Sequence, residues 1–78
     1  MPTFLDVHSL NPLGEESLHK LQRSPVDEFG VIHVNIFYNT EIGICFCLLE
    51  APNRDAIERH HQKSGIKCDW ITEVKTAI

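Results

Sequence analysis

The chain has 78 residues, 42% of them hydrophobic and 23% charged, which is the size of one small domain (expected over residues 1–78) with the composition of a globular protein. The formal net charge is −4 and the seven Lys and Arg form no basic run, which disfavours nucleic-acid binding; no apolar run approaches the roughly 20 residues of a membrane span. The opening residues lack the basic and long apolar regions of a secretory signal, so the expected location is cytoplasmic, where the three cysteines would stay reduced.

"TFLDVHSL", residues 3–10, alternates and reads as a strand, with Leu5 and Val7 on one face and Phe4, Asp6 and His8 on the other. "NPLGEE" breaks it. Residues 14–24 read as a short helix: Glu15 and Glu16 suit its positive N-terminal end, Leu18 and Leu21 form an apolar stripe, and Pro25 stops it. "VIHVNIFY" is a second strand, placing Ile32, Val34 and Ile36 on one face and His33, Asn35 and Phe37 on the other. "NTEIG" is a hairpin loop. "ICFCLLEA" is a third strand, with Phe46 and Leu48 opposite in sense to Cys45, Cys47 and Leu49. Residues 52–65 are the best delimited helix, with Asn53 as N-cap, Asp55 in the first turn and Gly65 as the stop. "WITEVKTAI" is a last strand.

The order β-α-β-β-α-β predicts an α+β ferredoxin-like sandwich: a four-stranded antiparallel sheet, spatial order 4-1-3-2, with two helices on one face. The Leu5/Val7, Val34/Ile36 and Phe46/Leu48 faces are the more apolar and are assigned to the helices. The other face then gathers Asp6, His8, His33, Asn35, Cys45 and Cys47, unless a β-bulge changes the parity of a strand. Phe4, Phe37 and Leu49 share that face, and covering them with a second copy predicts a homodimer.

Alternate residues of a strand stand roughly 6.5–7 Å apart at Cα, so a Cys45–Cys47 disulfide would be strained, and the pair opens no helix that would activate a thiol. Both cysteines read either as small buried hydrophobes or as soft ligands. Asp6 and His8 are a solvated pair or a carboxylate–imidazole ligand pair, and His33 is a surface histidine or a third donor. His60 and His61 diverge by about 100° on their helix, so they do not share an ion. Their helix is assigned to the far side of the sheet from the ligand face, so either would have to reach around the sheet end. His19 reads as a surface residue, and Cys68 falls in a loop with no assigned role. There is no phosphate loop and no nucleophile motif.

"FLDVH", "G-x-x-x-C-L-x-E-A-P" over residues 43–52, "A-I-x-x-x-H" over residues 56–61 and "ITEV" together resemble a family of small bacterial proteins that includes nickel-binding members. The resemblance spans nearly the whole chain. It implies a ferredoxin-like dimer and a bound nickel or similar divalent ion. It carries over His8, Cys47 and His61 as metal ligands, with Asp6 and Glu50 as motif residues. It also implies a histidine on the second strand, where counting back from Gly43 gives Asn35; His33 stands two residues earlier. Asp6 and His33 complete the candidate set. The leading expectation is a homodimeric metal-binding protein for storage, buffering or sensing. The alternatives are a small dimeric α/β-barrel enzyme with a pocket on the covered sheet face, and a dimerisation module without chemistry.

Overall fold

A computed structural model describes residues 1–10 and 13–77, so part of the predicted "NPLGEE" break, Asn11 and Pro12, lies outside the described residues. The elements follow in the predicted order: β1 (Thr3–Ser9), α1 (Glu15–Gln22), β2 (Ile32–Asn39), β3 (Ile44–Glu50), α2 (Arg54–Ser64) and β4 (Cys68–Val74). The strands form one antiparallel sheet in the order β2-β3-β1-β4, the ferredoxin-like arrangement.

Local chemistry sets the ends of these elements. At α2 the Asn53 side chain accepts from the Ala56 N–H at 2.9 Å, satisfying one of the orphan donors of a helix start. At its other end Gly65 adopts φ 72°, and the Gly65 and Ile66 N–H groups return to the carbonyls of Gln62 and His61. That pairing is the Schellman arrangement, and it needs the left-handed backbone that glycine adopts without penalty. Between β2 and β3 the Asn39 side chain accepts from Glu41 and Ile42 N–H groups, and Gly43, at φ 74°, closes the turn onto the Asn39 carbonyl.

On β1 and β3 the sheet faces are the reverse of the predicted assignment, whereas on β2 Ile36 lies on the helix side and Asn35 and Phe37 on the other, as expected. Phe4, Asp6, His8, Cys45, Cys47 and Leu49 are all buried, and the apolar ones join Leu18 of α1, Ala56 and Ile57 of α2 and Ile71 of β4 in one core cluster. The helices therefore cover the ligand face. Leu5, Phe46 and Leu48 lie on the other side, only part-buried. Val7 is also on that side and outside the core cluster; in register between Phe46 and Trp70, it is shielded by larger neighbours. The physical reason is that Cys45 and Cys47 pack as small hydrophobes beneath the helices, while Asp6 and His8 find polar company there instead of water. Phe4 and Leu49, expected under a second copy, are thus already covered within the chain.

Two register shifts also alter the reading. On β2 a bulge falls between His33 and Asn35, so that His33 pairs with Leu49 and Ile36 with Cys47, while Asn35 pairs with Leu48 and Phe37 with Phe46. His33 thus takes the helix side, and Asn35 and Phe37 take the open side. The Gln22 side chain at the end of α1 donates to the His33 and Val34 carbonyls, supplying a partner where the bulge disrupts the ladder. On β4 the shift between Val7 and His8 sets Trp70 opposite Val7 and Cys68 opposite His8. Cys68, expected in a loop, is the first residue of β4.

Candidate metal centre

Residues directly opposite in an antiparallel pair share a face. Asp6 and His8 alternate along β1, and the register sets them opposite Cys47 and Cys45 of β3 on one side, and opposite Ile71 and Cys68 of β4 on the other. From above, α2 lowers His61 onto the same patch, four residues after the fully buried Ile57. Five polar or soft side chains thereby meet under the helix: Asp6 is 0% exposed, Cys45 0%, His8 2%, Cys47 4% and His61 6%.

Their donor atoms fall into two adjoining groups. In the first, the Cys47 Sγ lies 3.5 Å from His8 Nε2 and 3.8 Å from Cys45 Sγ. In the second, His61 Nε2 stands 3.2 Å from Asp6 Oδ2, and Cys68 completes the set. Within each group all three donor atoms lie within 4.8 Å of one another. The His8 and His61 rings meet edge to face at 5.7 Å between centroids, which joins the groups.

Both histidines are held in the orientation a ligand needs. His8 Nδ1–H donates to the Ser9 carbonyl and His61 Nδ1–H to the Ile57 carbonyl, each at 2.8 Å. The other ring nitrogen, Nε2, is thereby left facing the cluster, as in metal-bound histidines anchored through their remaining N–H. Asp6 is less well served. His61 Nε2 is near enough to pair with it as a charge, yet neither carboxylate oxygen is hydrogen-bonded. A buried carboxylate needs a cationic partner, and the only one within reach among the described residues is the His61 imidazole when protonated.

The thiols divide one proton unevenly. A hydrogen bond from Cys47, with further help from His8, lowers the Cys45 thiol to about 5 against the cost of burial. The bond to Cys45, burial and the Asp6 charge push Cys47 the other way. The pair therefore loses its first proton readily and its second with difficulty, Cys45 being the more easily ionised of the two. Burial alone would lower His8 and His61. Cys45 and the Ser9 carbonyl outweigh it at His8, and Asp6 outweighs it at His61, so both are raised. Burial and the Asp6 charge raise Cys68 to about 11. All three cysteines are free.

Of the predicted ligands, the fold brings Asp6, His8, Cys47 and His61 together. His61, expected behind the sheet, faces the cluster directly because the helices lie on this side. His33 is not in either group. It stacks obliquely on His60, 5.2 Å between centroids, and His60 Nδ1 is 2.5 Å from Asp27 Oδ2. Asn35 is exposed on the open face, where its own side chain accepts from the Ile36 N–H. Cys45, read as a buried hydrophobe or a soft ligand but left out of the candidate set, and Cys68, given no role, also belong to the clusters. The Cys45–Cys47 alternation was the signal for the first. The second had none, because the β4 irregularity at Asp69 is invisible in the pattern.

Two imidazoles, three thiols and a carboxylate form a donor set suited to borderline divalent ions, for which affinity rises towards nickel, copper and zinc. The residues fit such an ion: Nε2 atoms oriented by their Nδ1–H bonds, free thiols, and a buried carboxylate whose only near partner among the described residues is His61. No curated protein matches the chain. Among solved structures, the crystal structure of SCO4226 from Streptomyces coelicolor A3(2) is similar, with a TM-score of 0.78 and 26% identity over 97% of this chain and 99% of that one. A family model described as nickel responsive protein SCO4226-like matches residues 4–74. That match takes in both helices and every strand but the first residue of β1, and on it the chain belongs to the SCO4226-like family of nickel responsive proteins.

Proposed function

We propose that the protein binds nickel or a similar divalent transition ion and serves to store, buffer or sense it. The observation that carries this reading is the convergence of His8, Cys45 and Cys47 within 4.8 Å, beside a fully buried carboxylate that has no hydrogen bond. The family's description as nickel responsive favours nickel among the ions that such donors accept. His8 would supply Nε2, Cys47 and Cys45 their sulfurs, and Asp6 and His61 the adjoining oxygen and nitrogen. A bound ion would take the place of the protons that His8, His61 and the thiols otherwise hold. The chain's own part is to hold the imidazoles by their Nδ1–H bonds, to exclude water, and to release the proton held by Cys47. We infer a single domain acting in the cytoplasm, since free thiols in this number suit a reducing compartment. We also infer a homodimer, formed through the open sheet face.

The test is nickel titration of protein purified without a histidine tag, followed by calorimetry and metal analysis. Cys47→Ser keeps the size but removes the soft donor, and His8→Ala removes the imidazole. Each is expected to lower nickel affinity by orders of magnitude while circular dichroism stays that of the wild type. Affinity unchanged in the double variant would defeat the reading, and a dimerisation module or a small enzyme would then lead.

A further inference from the structure

Helix α2 buries little apolar surface for its length. Its buried apolar residues, Ala56 and Ile57, both stand in its first half, and the third buried residue is His61. Polar ties must therefore orient its C-terminal half. Two of them come from adjacent histidines, which diverge by about 100° on the helix. His61 reaches to one side, where its Nε2 lies 3.2 Å from Asp6 Oδ2. His60 reaches to the other, where its Nδ1–H donates to Asp27 Oδ2 at 2.5 Å. The two rings stand nearly perpendicular, 5.5 Å between centroids. We propose that Asp27 and His60 are positioning residues for the metal centre: their hydrogen bond fixes the rotation of the C-terminal half of α2, and so holds His61 Nε2 toward Asp6 and the other donors of the sheet. The proposal rests on the metal-binding reading above and adds to it two residues that touch no ion.

Asp27 is a fixed post. It sits in the segment between α1 and β2, where its Oδ1 accepts from the Phe29 and Val31 N–H groups, each at 2.9 Å. Its backbone N–H donates to the Val31 carbonyl, and its own carbonyl accepts from the Gly30 N–H. Val31 is buried in the core, so the turn that presents Asp27 Oδ2 is tied to the interior. The bond to His60 is itself sheltered, since both side chains are mostly buried. The His33 ring lies against that of His60, 5.2 Å between centroids, and limits its movement further. A second tie from the same segment, Lys63 to Glu28, is exposed at both ends and orients the helix little. Rotation matters because a ligand must be held within roughly 0.5 Å and 10–20° of its working geometry. A turn of about 20° in a helix about 10–12 Å across carries the tip of a side chain about 2 Å. That is enough to take His61 Nε2 away from Asp6, and a carboxylate held on a rigid turn resists it.

Calorimetric nickel titration of untagged variants tests this, with circular dichroism and thermal melts as the check on folding. Asp27→Ala would also free the Phe29 and Val31 N–H groups, so His60 is the residue to change. His60→Ala is expected to lower nickel affinity about tenfold, the order lost when a ligand's outer support is removed. His60→Asn places a carboxamide N–H where the Nδ1–H stands and should return affinity to near that of the wild type. In a His61→Ala background His60→Ala should cost nothing further, because the bond acts only through His61. The metal-free protein gives a second readout. The nitrogen resonance of His61 Nε2 reports its pairing with Asp6; it should move in His60→Ala and return in His60→Asn, while that of His8 Nε2 stays in place. A lower melting temperature with affinity and the His61 resonance unchanged would make the Asp27–His60 pair part of the fold alone and overturn the positioning role. A loss of affinity that persists in the His61→Ala background would overturn it too, since His60 would not be acting through His61. Nickel bound equally by the wild type and His60→Ala defeats the positioning role alone, whereas a wild type that binds no nickel defeats the metal-binding reading on which it rests.

Discussion

At the scale of single residues, burial has pulled the histidines of this chain apart. His33 falls from its ordinary 6.5 to about 4, through burial first and the neighbouring His60 second. His8 and His61 are raised, their anionic neighbours outweighing burial. The consequences for stability have opposite signs. Between about 4 and 6.5 the unfolded chain takes up a proton that native His33 refuses, so stability falls as pH drops through that window. Cys45, lowered to about 5, acts in the same direction, since its thiolate is favoured only in the native state. Above 6.5 the native chain holds protons on His8 and His61 that the unfolded chain has lost, so their contribution fades as pH rises through their raised values. Cys45 offsets one of those two. The metal-free protein is therefore expected to be most stable near pH 6.5. Denaturant unfolding with chelator present, at pH values on either side, checks this; stability rising steadily from acid into the alkaline range would show His8 and His61 not to be raised. Proton NMR of the five imidazoles gives the same test group by group.

The element that matters most is α2, because it carries His61 in its last turn between a well-made start and a well-made stop. Asn53→Ala removes the side-chain acceptor for the Ala56 N–H and should cost about 1 kcal/mol. Gly65→Ala places a Cβ on a backbone at φ 72°, where nothing crowds it but the conformation itself is unfavourable, at about 1–2 kcal/mol. Thermal melts should show both losses. Gly65→Ala should also weaken metal binding more than Asn53→Ala, since it disturbs the turn whose His61 carbonyl is tied down by Ile66. Equal effects on metal would mean that His61 is not held by the C-terminal stop. The limits of α2 were legible in the sequence because caps are local: an Asn and a Gly act on backbone groups a few residues away. The strands were legible for the same reason, through alternation. Which sheet face the helices cover was not. Alternation separates Leu5 and Val7 from Asp6 and His8 without saying which pair is inside, and giving the more apolar face to the helices gave the wrong answer on β1 and β3. The partner that makes them tolerable underneath a helix is His61, more than fifty residues away. Bulges defeat the pattern too: one extra residue on β2 separates His33 from Asn35, and one on β4 brings Cys68 to His8.

For the whole molecule, the sheet divides two tasks. One side is taken by the helices and the proposed metal donors. The other carries Leu5, Phe46 and Leu48, part-buried, with Phe37 51% and Trp70 46% exposed. Exposed apolar surface of this kind marks an interaction site, and a twofold pairing of two such faces would cover both at once. Four strands spaced ~4.8 Å apart and about seven residues long span roughly 440 Å2 in projection. A face of that extent can be covered by one second copy, and the dimer is expected at micromolar concentration. Phe37→Glu and Trp70→Glu each put an uncompensated charge into the pairing and should leave a monomer by sedimentation and native mass spectrometry. The telling measurement is metal content in those monomers. Every proposed donor comes from one chain and lies on the helix side, so nickel bound per chain should be unchanged when the dimer is lost. A monomeric wild type would remove the basis for the dimer. A monomeric variant that had lost its nickel would mean instead that the second copy helps to hold the ion, and the division of the sheet into two independent faces would fail.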